Sequence, residues 1–158
     1  MKSNLISKSE TADMLEEIEK QWKIEIPKIK NLKIYELEDS AAIIVGEGLV
    51  ALKIAQLYLP FLSDTETLKK FPSVTVDMGA VKFMCNGANV MRPGIRNFTE
   101  FEKGQLVCIV EESQKKFLAV GRALVPSKET KTMSKGVVIE NLHYISDIYW
   151  EIKKSLKD

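Results

Sequence analysis

The chain has 158 residues, 45% hydrophobic and 28% charged, a composition that argues against disorder and fits one medium domain or two small ones. Its 23 basic and 22 acidic residues leave a formal net charge of +1, so any affinity for nucleic acid must come from a local patch. Two cysteines, Cys85 and Cys108, stand in apolar surroundings without CxxC spacing, which predicts buried thiols and neither a disulfide framework nor a zinc cluster.

The opening MKSNLISKSE lacks the apolar core of a signal peptide, and no stretch approaches the roughly 18 apolar residues of a transmembrane helix. A cytoplasmic protein with no membrane partner is expected. From Ser9 to Trp22 the apolar residues Ala12, Leu15, Ile18 and Trp22 recur at three or four among Glu and Lys, the pattern of an amphipathic helix, with Pro27 at or beyond its end. Leu32 to Leu37 alternates and Ala41 to Val45 is apolar and rich in β-branched residues, so both predict strands with a turn at Asp39-Ser40. Gly46-Glu47-Gly48 before LVALKI predicts a tight turn into a third strand. Ser63 or Asp64 can cap a short helix ending near Phe71, and Pro72 forbids much continuation.

After Pro72 the character changes to short strands with regular turns: Val74 to Val76, Val90-Met91, Leu106 to Glu111, Phe117 to Ala123 and Val137 to Glu140. The expected fold is therefore α+β, a small helix-plus-antiparallel-sheet domain over residues 1–72 packed on a small, mostly β barrel over 73–158. No Ser/Gly-rich linker separates them, and domains this small bury only about 60% of their unfolded surface, so mutual packing helps both.

Within the second part, VDMGAVKFMCNGANVMRPGI, Val76 to Ile95, holds three of the eight glycines and sets Asp77, Lys82 and Arg92 around a short apolar stretch. Asp77 can cap a two-turn helix whose residues Val81, Met84 and Cys85 share one face, and Gly87 suits the left-handed position that ends it. Pro93-Gly94 fits a type II turn with positive φ at the glycine. Open amides around Gly87, Ala88 and Gly94, flanked by Lys82, Arg92 and Arg96, would let a phosphodiester backbone approach. The same residues also fit a capped helix and a turn with no ligand.

Three other features invite chemistry. Gly46, Gly48 and Ala51 satisfy GxGxxA, with Asp64 or Glu66 near the place of a ribose-binding acid, but LVALKI is strand-like and the half-domain is too short for paired βαβ units. His143, the sole histidine, has Asp147 four residues on and could activate a nucleophile, yet packing is the stronger reading. Lys128, Lys131 and Lys135 in SKETKTMSKG, partly offset by Glu129, read as a solvated loop or as auxiliary RNA contacts.

VDMGAVKFMCNGANVMRPGI, then KGQLVCIVEE, FLAVGRAL and KGVVIENLHYISDIYW, closely resembles the PUA domain, named after pseudouridine synthase and archaeosine transglycosylase. The preceding segment of roughly 70 residues, ending in LKKFP, resembles the layout of the malignant T-cell amplified protein family. That resemblance implies a pseudobarrel binding structured RNA, rRNA or tRNA, through its first helix, the following glycine loop and the closing strands. By motif position the RNA-facing candidates are Lys82, Gly87, Ala88, Asn89, Val90, Met91, Arg92, Pro93, Gly94 and Ile95, and the local charge reading adds Arg96. It further implies a non-catalytic factor of initiation or recycling that binds the small ribosomal subunit or the tRNA acceptor end, with an SUI1-type partner and no cofactor or metal. The resemblance also places His143, Tyr144 and Trp150 in the closing barrel. Two alternatives are a protein-interaction adaptor and an RNA-targeting module for a separate modification or processing enzyme.

Overall fold

Ser7 and Glu10 form a reciprocal capping box: the Ser7 hydroxyl accepts from Glu10 N–H at 3.1 Å and the Glu10 carboxylate from Ser7 N–H at 3.3 Å. This starts helix α1, Lys8–Trp22, in the computed structural model, which describes residues 1–156. Residues 157 and 158, counted in the second expected domain, lie outside the described residues. The buried stripe of α1 is Thr11, Leu15, Ile18 and Trp22; Ala12, expected on it, is exposed because it stands one residue off that helical row. Thr11 is tolerated inside because its hydroxyl accepts from Leu32 N–H at 3.0 Å.

Five antiparallel strands in chain order form the first sheet: β1 Lys2–Leu5, β2 Lys33–Glu36, β3 Ala41–Gly46, β4 Leu49–Ile54 and β5 Leu57–Pro60. Asp39 and Ser40 both take positive φ at the expected turn, and Gly48 does so in the two-residue turn between Gly46 and Leu49. Ala51 then sits in β4 opposite Ile44, so the GxGxxA stretch is a hairpin and opens no helix for a phosphate. Asp64 caps the short helix α2, Thr65–Leu68; its carboxylate accepts from Thr67 N–H, Thr67 Oγ1 and Val50 N–H, which leaves it no ribose to hold. α2 ends one turn before the expected Phe71.

The second sheet is a nearly closed pseudobarrel of six strands in the order β7-β11-β10-β9-β6-β8. Its members are β6 Ser73–Val76, β7 Val90–Met91, β8 Ile95–Phe98, β9 Leu106–Glu111, β10 Phe117–Ala123 and β11 Val137–Tyr144. β6 and β9 pair in parallel and the remaining ladders are antiparallel. Gly121 lies where β10 shifts register against β11, and a Cβ there would come 2.3 Å from the Glu140 carbonyl oxygen. Two single-turn helices, α3 Val81–Met84 and α4 Ser127–Thr130, precede a last helix, α5 Ile148–Ser155, which is capped by Asp147, whose Oδ1 accepts from Trp150 N–H at 2.7 Å.

α5 corrects the expectation that Trp150 belongs to the closing barrel. Its ring lies parallel to that of Phe61, 6.4 Å away, and it packs against the core beneath the first sheet. That core joins Ile18, Trp22, Leu52 and Phe61 to Leu106, Cys108 and Val120 of the barrel, so the two sheets share buried apolar surface. A second cluster, including Val74, Ile109, Val138 and Ile139, fills the barrel itself.

Candidate nucleic-acid interface

After β6 the chain turns under the cap of Asp77, whose carboxylate accepts from Ala80 N–H at 2.9 Å. A 3-10 turn, Met78–Ala80, runs into the single-turn helix α3, Val81–Met84. Gly87 ends this unit at φ +90°, a conformation that favours glycine, and a Cβ there would crowd the Tyr144 ring at 3.1 Å. Two of the amides expected to be open are occupied: Gly87 N–H donates to Met84 O at 3.1 Å and Ala88 N–H to Phe83 O at 3.0 Å. The last carbonyls of a short helix take the nearest donors before any ligand can.

The loop is pinned from the barrel by Asn141, whose Nδ2 donates to Met84 O and Ala88 O and whose N–H donates to Asn89 Oδ1. A single asparagine in a strand carries no sequence signal of such a role. Pro93-Gly94 also differs from expectation: Arg92–Gly94 is a 3-10 turn, and Gly94 is not among the positive-φ glycines.

Between α3 and β7 lies an open, mostly apolar groove of about 350 Å³, lined in part by Gly79, Ala80, Ala88 and Gly94. Phe83 and Met91 also line it and are 54% and 47% exposed, an unusual arrangement for large apolar side chains flanking one hollow. Phe83 was not singled out by the sequence, although assigning Val81, Met84 and Cys85 to the inner face left it pointing outward. Val90 and Ile95 are buried in the barrel core at 1% and 6%, so although Val90 lines the floor of the groove their side chains offer a ligand little surface. Strand alternation puts Val90 inward and Met91 outward.

Cationic groups flank the groove unequally. Lys82 is exposed, with Nζ 5.3 Å from the Phe83 ring centre, and Arg96 is exposed with Nε 3.9 Å from Glu112. Arg92 is half-buried: Nε donates to Thr130 O at 2.7 Å, Nη1 to Ile95 O at 3.4 Å, and the guanidinium stands 5.8 Å from the Phe98 ring centre. Asn89 and Pro93 are exposed, and Gly87, Ala88 and Gly94 are half-buried. Thus Lys82 and Arg96 face solvent with Phe83 and Met91, whereas Arg92 turns Nε and Nη1 toward backbone carbonyls.

The competing features resolve structurally. His143 is fully buried, with Nδ1 2.7 Å from Asp147 Oδ2 and Nε2 accepting from Leu62 N–H at 3.1 Å. Nε2 thus ties the barrel to the segment that follows β5, while Nδ1 is engaged by the Asp147 carboxylate that caps α5. Burial pushes the Cys108 thiol up to about 12 and raises that of Cys85, which is half-buried. Among the described residues no cluster of three or more His, Cys, Asp or Glu could hold a metal ion, and no helix is long and apolar enough to cross a membrane. A roomier cleft of about 600 Å³, which shares no lining residue with the groove, lies between Glu36–Asp39 and the α5 residues Ile148, Tyr149 and Ile152.

The PUA domain model matches residues 72–145. Translation machinery-associated protein 20 of Saccharomyces cerevisiae is 33% identical over 135 residues, 79% of this chain and 74% of its own length. Malignant T-cell-amplified sequence 1-A of Xenopus laevis is 31% identical over 155 residues, 92% of this chain and 84% of its own. A crystal structure of a hypothetical protein from the archaeon Pyrococcus horikoshii superposes with a TM-score of 0.80 at 25% identity, covering 96% of this chain and 99% of the other.

Proposed function

This chain belongs to the PUA-domain family that contains malignant T-cell-amplified sequence 1-A and translation machinery-associated protein 20, and on that premise we propose that it is a non-catalytic RNA-binding factor of the translation machinery. Its targets in this reading are the acceptor end of tRNA or rRNA of the small ribosomal subunit, in initiation or recycling, with an SUI1-type protein as partner. Residues 1–72 serve as the partner-facing domain and 73–158 as the RNA-facing one. The observation that carries the proposal is the apolar groove beside exposed cations inside the matched segment.

An unpaired terminal base stacks on Phe83, its ribose lies against the small residues Gly79, Ala80, Ala88 and Gly94, and Met91 closes the far side. Lys82 and Arg96 meet phosphates, positioning the strand without reading sequence. Neutralising one phosphate with each of these two cations makes log affinity fall with log salt at a slope of about −1.4 to −1.8. The test is binding of the purified chain to tRNA with and without its single-stranded 3′ end, and to small ribosomal subunits, at several salt concentrations. Salt-sensitive binding that needs the 3′ end or the subunit supports the reading; folded protein that binds neither RNA overturns it.

One observation favours a second reading, docking of a protein. The cleft beside α5 combines exposed Ile148 with Glu36, Glu38 and Asp39, a chemistry that suits a basic, apolar segment and no nucleic acid.

A further inference from the structure

The connection between β10 and β11 has the composition of a solvated loop, yet it is anchored along its length. Ser127 is buried with Oγ accepting from Phe101 N–H at 3.1 Å, and Thr130 is fully buried with Oγ1 donating to Pro126 O at 3.0 Å. Met133 packs on the barrel core. Arg92 adds two further ties, donating through Nε to Thr130 O at 2.7 Å and through its backbone N–H to Gly136 O at 2.8 Å.

Those two bonds bracket Lys131 and Lys135, one falling on the residue before the first and the other on the residue after the second. Both lysines are exposed, and neither makes an ion pair among the described residues. Met91, which lines the groove, pairs in register with Val137, so this loop stands directly beside the groove. An ordered loop that presents two unpaired ammonium groups next to a nucleotide-sized hollow avoids much of the entropy cost of immobilising a mobile basic segment on binding.

We propose that Lys131 and Lys135 form a phosphate-binding ledge that extends the RNA interface past Met91, with Arg92 as the positioning residue that holds the ledge in place. This rests on the RNA-binding reading above. It also changes the role of Arg92 from ligand contact to scaffold, because its Nε and Nη1 already donate to carbonyl oxygens.

The experiment uses the full chain and a short RNA hairpin with a single-stranded 3′ tail, titrated over a salt series, for the native protein, K131Q/K135Q, Arg92→Ala and the triple variant. Each lysine-phosphate contact adds about 0.7 to 0.9 to the salt slope, so K131Q/K135Q flattens it by about 1.5 with an unchanged melting temperature. Arg92→Ala weakens binding in the native background and has no further effect in K131Q/K135Q, the non-additivity expected of a residue acting through the other two. Should Arg92→Ala not fold, Arg92→Lys, which keeps the charge but cannot make both carbonyl bonds, gives the same comparison. A native slope retained by K131Q/K135Q, or an Arg92 effect of equal size in both backgrounds, overturns the ledge while leaving RNA binding intact. Absence of binding by the native chain overturns both.

Discussion

Replacing His143 with alanine tests how the two halves of the molecule are joined. The substitution orphans the buried Leu62 N–H, which now donates to Nε2 at 3.1 Å, at a cost of about 1–3 kcal/mol. Removing the imidazole takes away about 65 Å³ of packed volume, adding about 1.5 kcal/mol if the site does not collapse. The vacated space lies against Phe61, 4.6 Å from the imidazole centre, and Tyr149, 6.4 Å away, both held by other contacts. Asp147 keeps the Tyr144 and Trp150 amides, so α5 stays capped and the expected loss is about 3–4 kcal/mol. Urea unfolding is the assay, followed by far-UV circular dichroism and by fluorescence of Trp22 and Trp150, which both contact the shared core. With a slope of about 2 kcal/mol/M, the midpoint falls by about 1.5–2 M. A loss below about 1 kcal/mol would refute the assignment of His143 as a structural link. Unchanged stability together with a lost reaction or lost RNA affinity would restore it as a functional residue.

Gly121→Ala forces a Cβ to 2.3 Å from the Glu140 carbonyl oxygen and 2.5 Å from Ile139 Cγ2, backbone and core that cannot both yield, so calorimetry should show destabilisation of at least about 2 kcal/mol. Glu111 is held below the usual carboxylate range chiefly by the Gln114 amide, which donates to it at 2.7 Å, with help from the amides of Ser113, Lys116 and Lys115 against the opposing effect of burial. Its folded value is depressed, so its contribution is complete above the ordinary carboxylate pKa and is lost as pH falls through the lower folded value. Glu111→Gln should therefore flatten stability against pH on the acid side in denaturant titrations, and an unchanged profile would contradict that role. Cys108 should resist alkylation by iodoacetamide at neutral pH until the chain unfolds, while half-buried Cys85 reacts first; equal rates in mass spectrometry would argue against the packing described.

Local chemistry made the capped segment legible. Asp77, the apolar spacing of α3 and the positive φ of Gly87 all follow from residue type, as do the turns at Asp39-Ser40 and Glu47-Gly48. β1 was illegible because all four of its residues are exposed and show no alternation, and β5 because its turn places Ala55 at φ +54° with no glycine to mark it. α5 was hidden by its own cap: Asp147 stood out as an acid beside His143, and the aromatic run IYW continued a strand pattern. In the site, the carbonyl partners of Arg92 Nε and Nη1 were not legible, since a guanidinium looks the same in sequence whether solvent or a carbonyl awaits it. Val90 and Met91 both line the groove, but strand alternation buries the Val90 side chain and exposes that of Met91, a difference their shared apolar character does not reveal.

The most direct measurement compares native protein and Phe83→Ala for binding tRNA with and without its single-stranded 3′ end. Phe83 is 54% exposed and lines the groove, so its loss should spare the melting temperature while costing about 1–3 kcal/mol of affinity, the worth of one base-aromatic stack, for the tailed RNA alone. Equal affinity of the two proteins for the tailed RNA would contradict the account of the groove as the place where the RNA end is held.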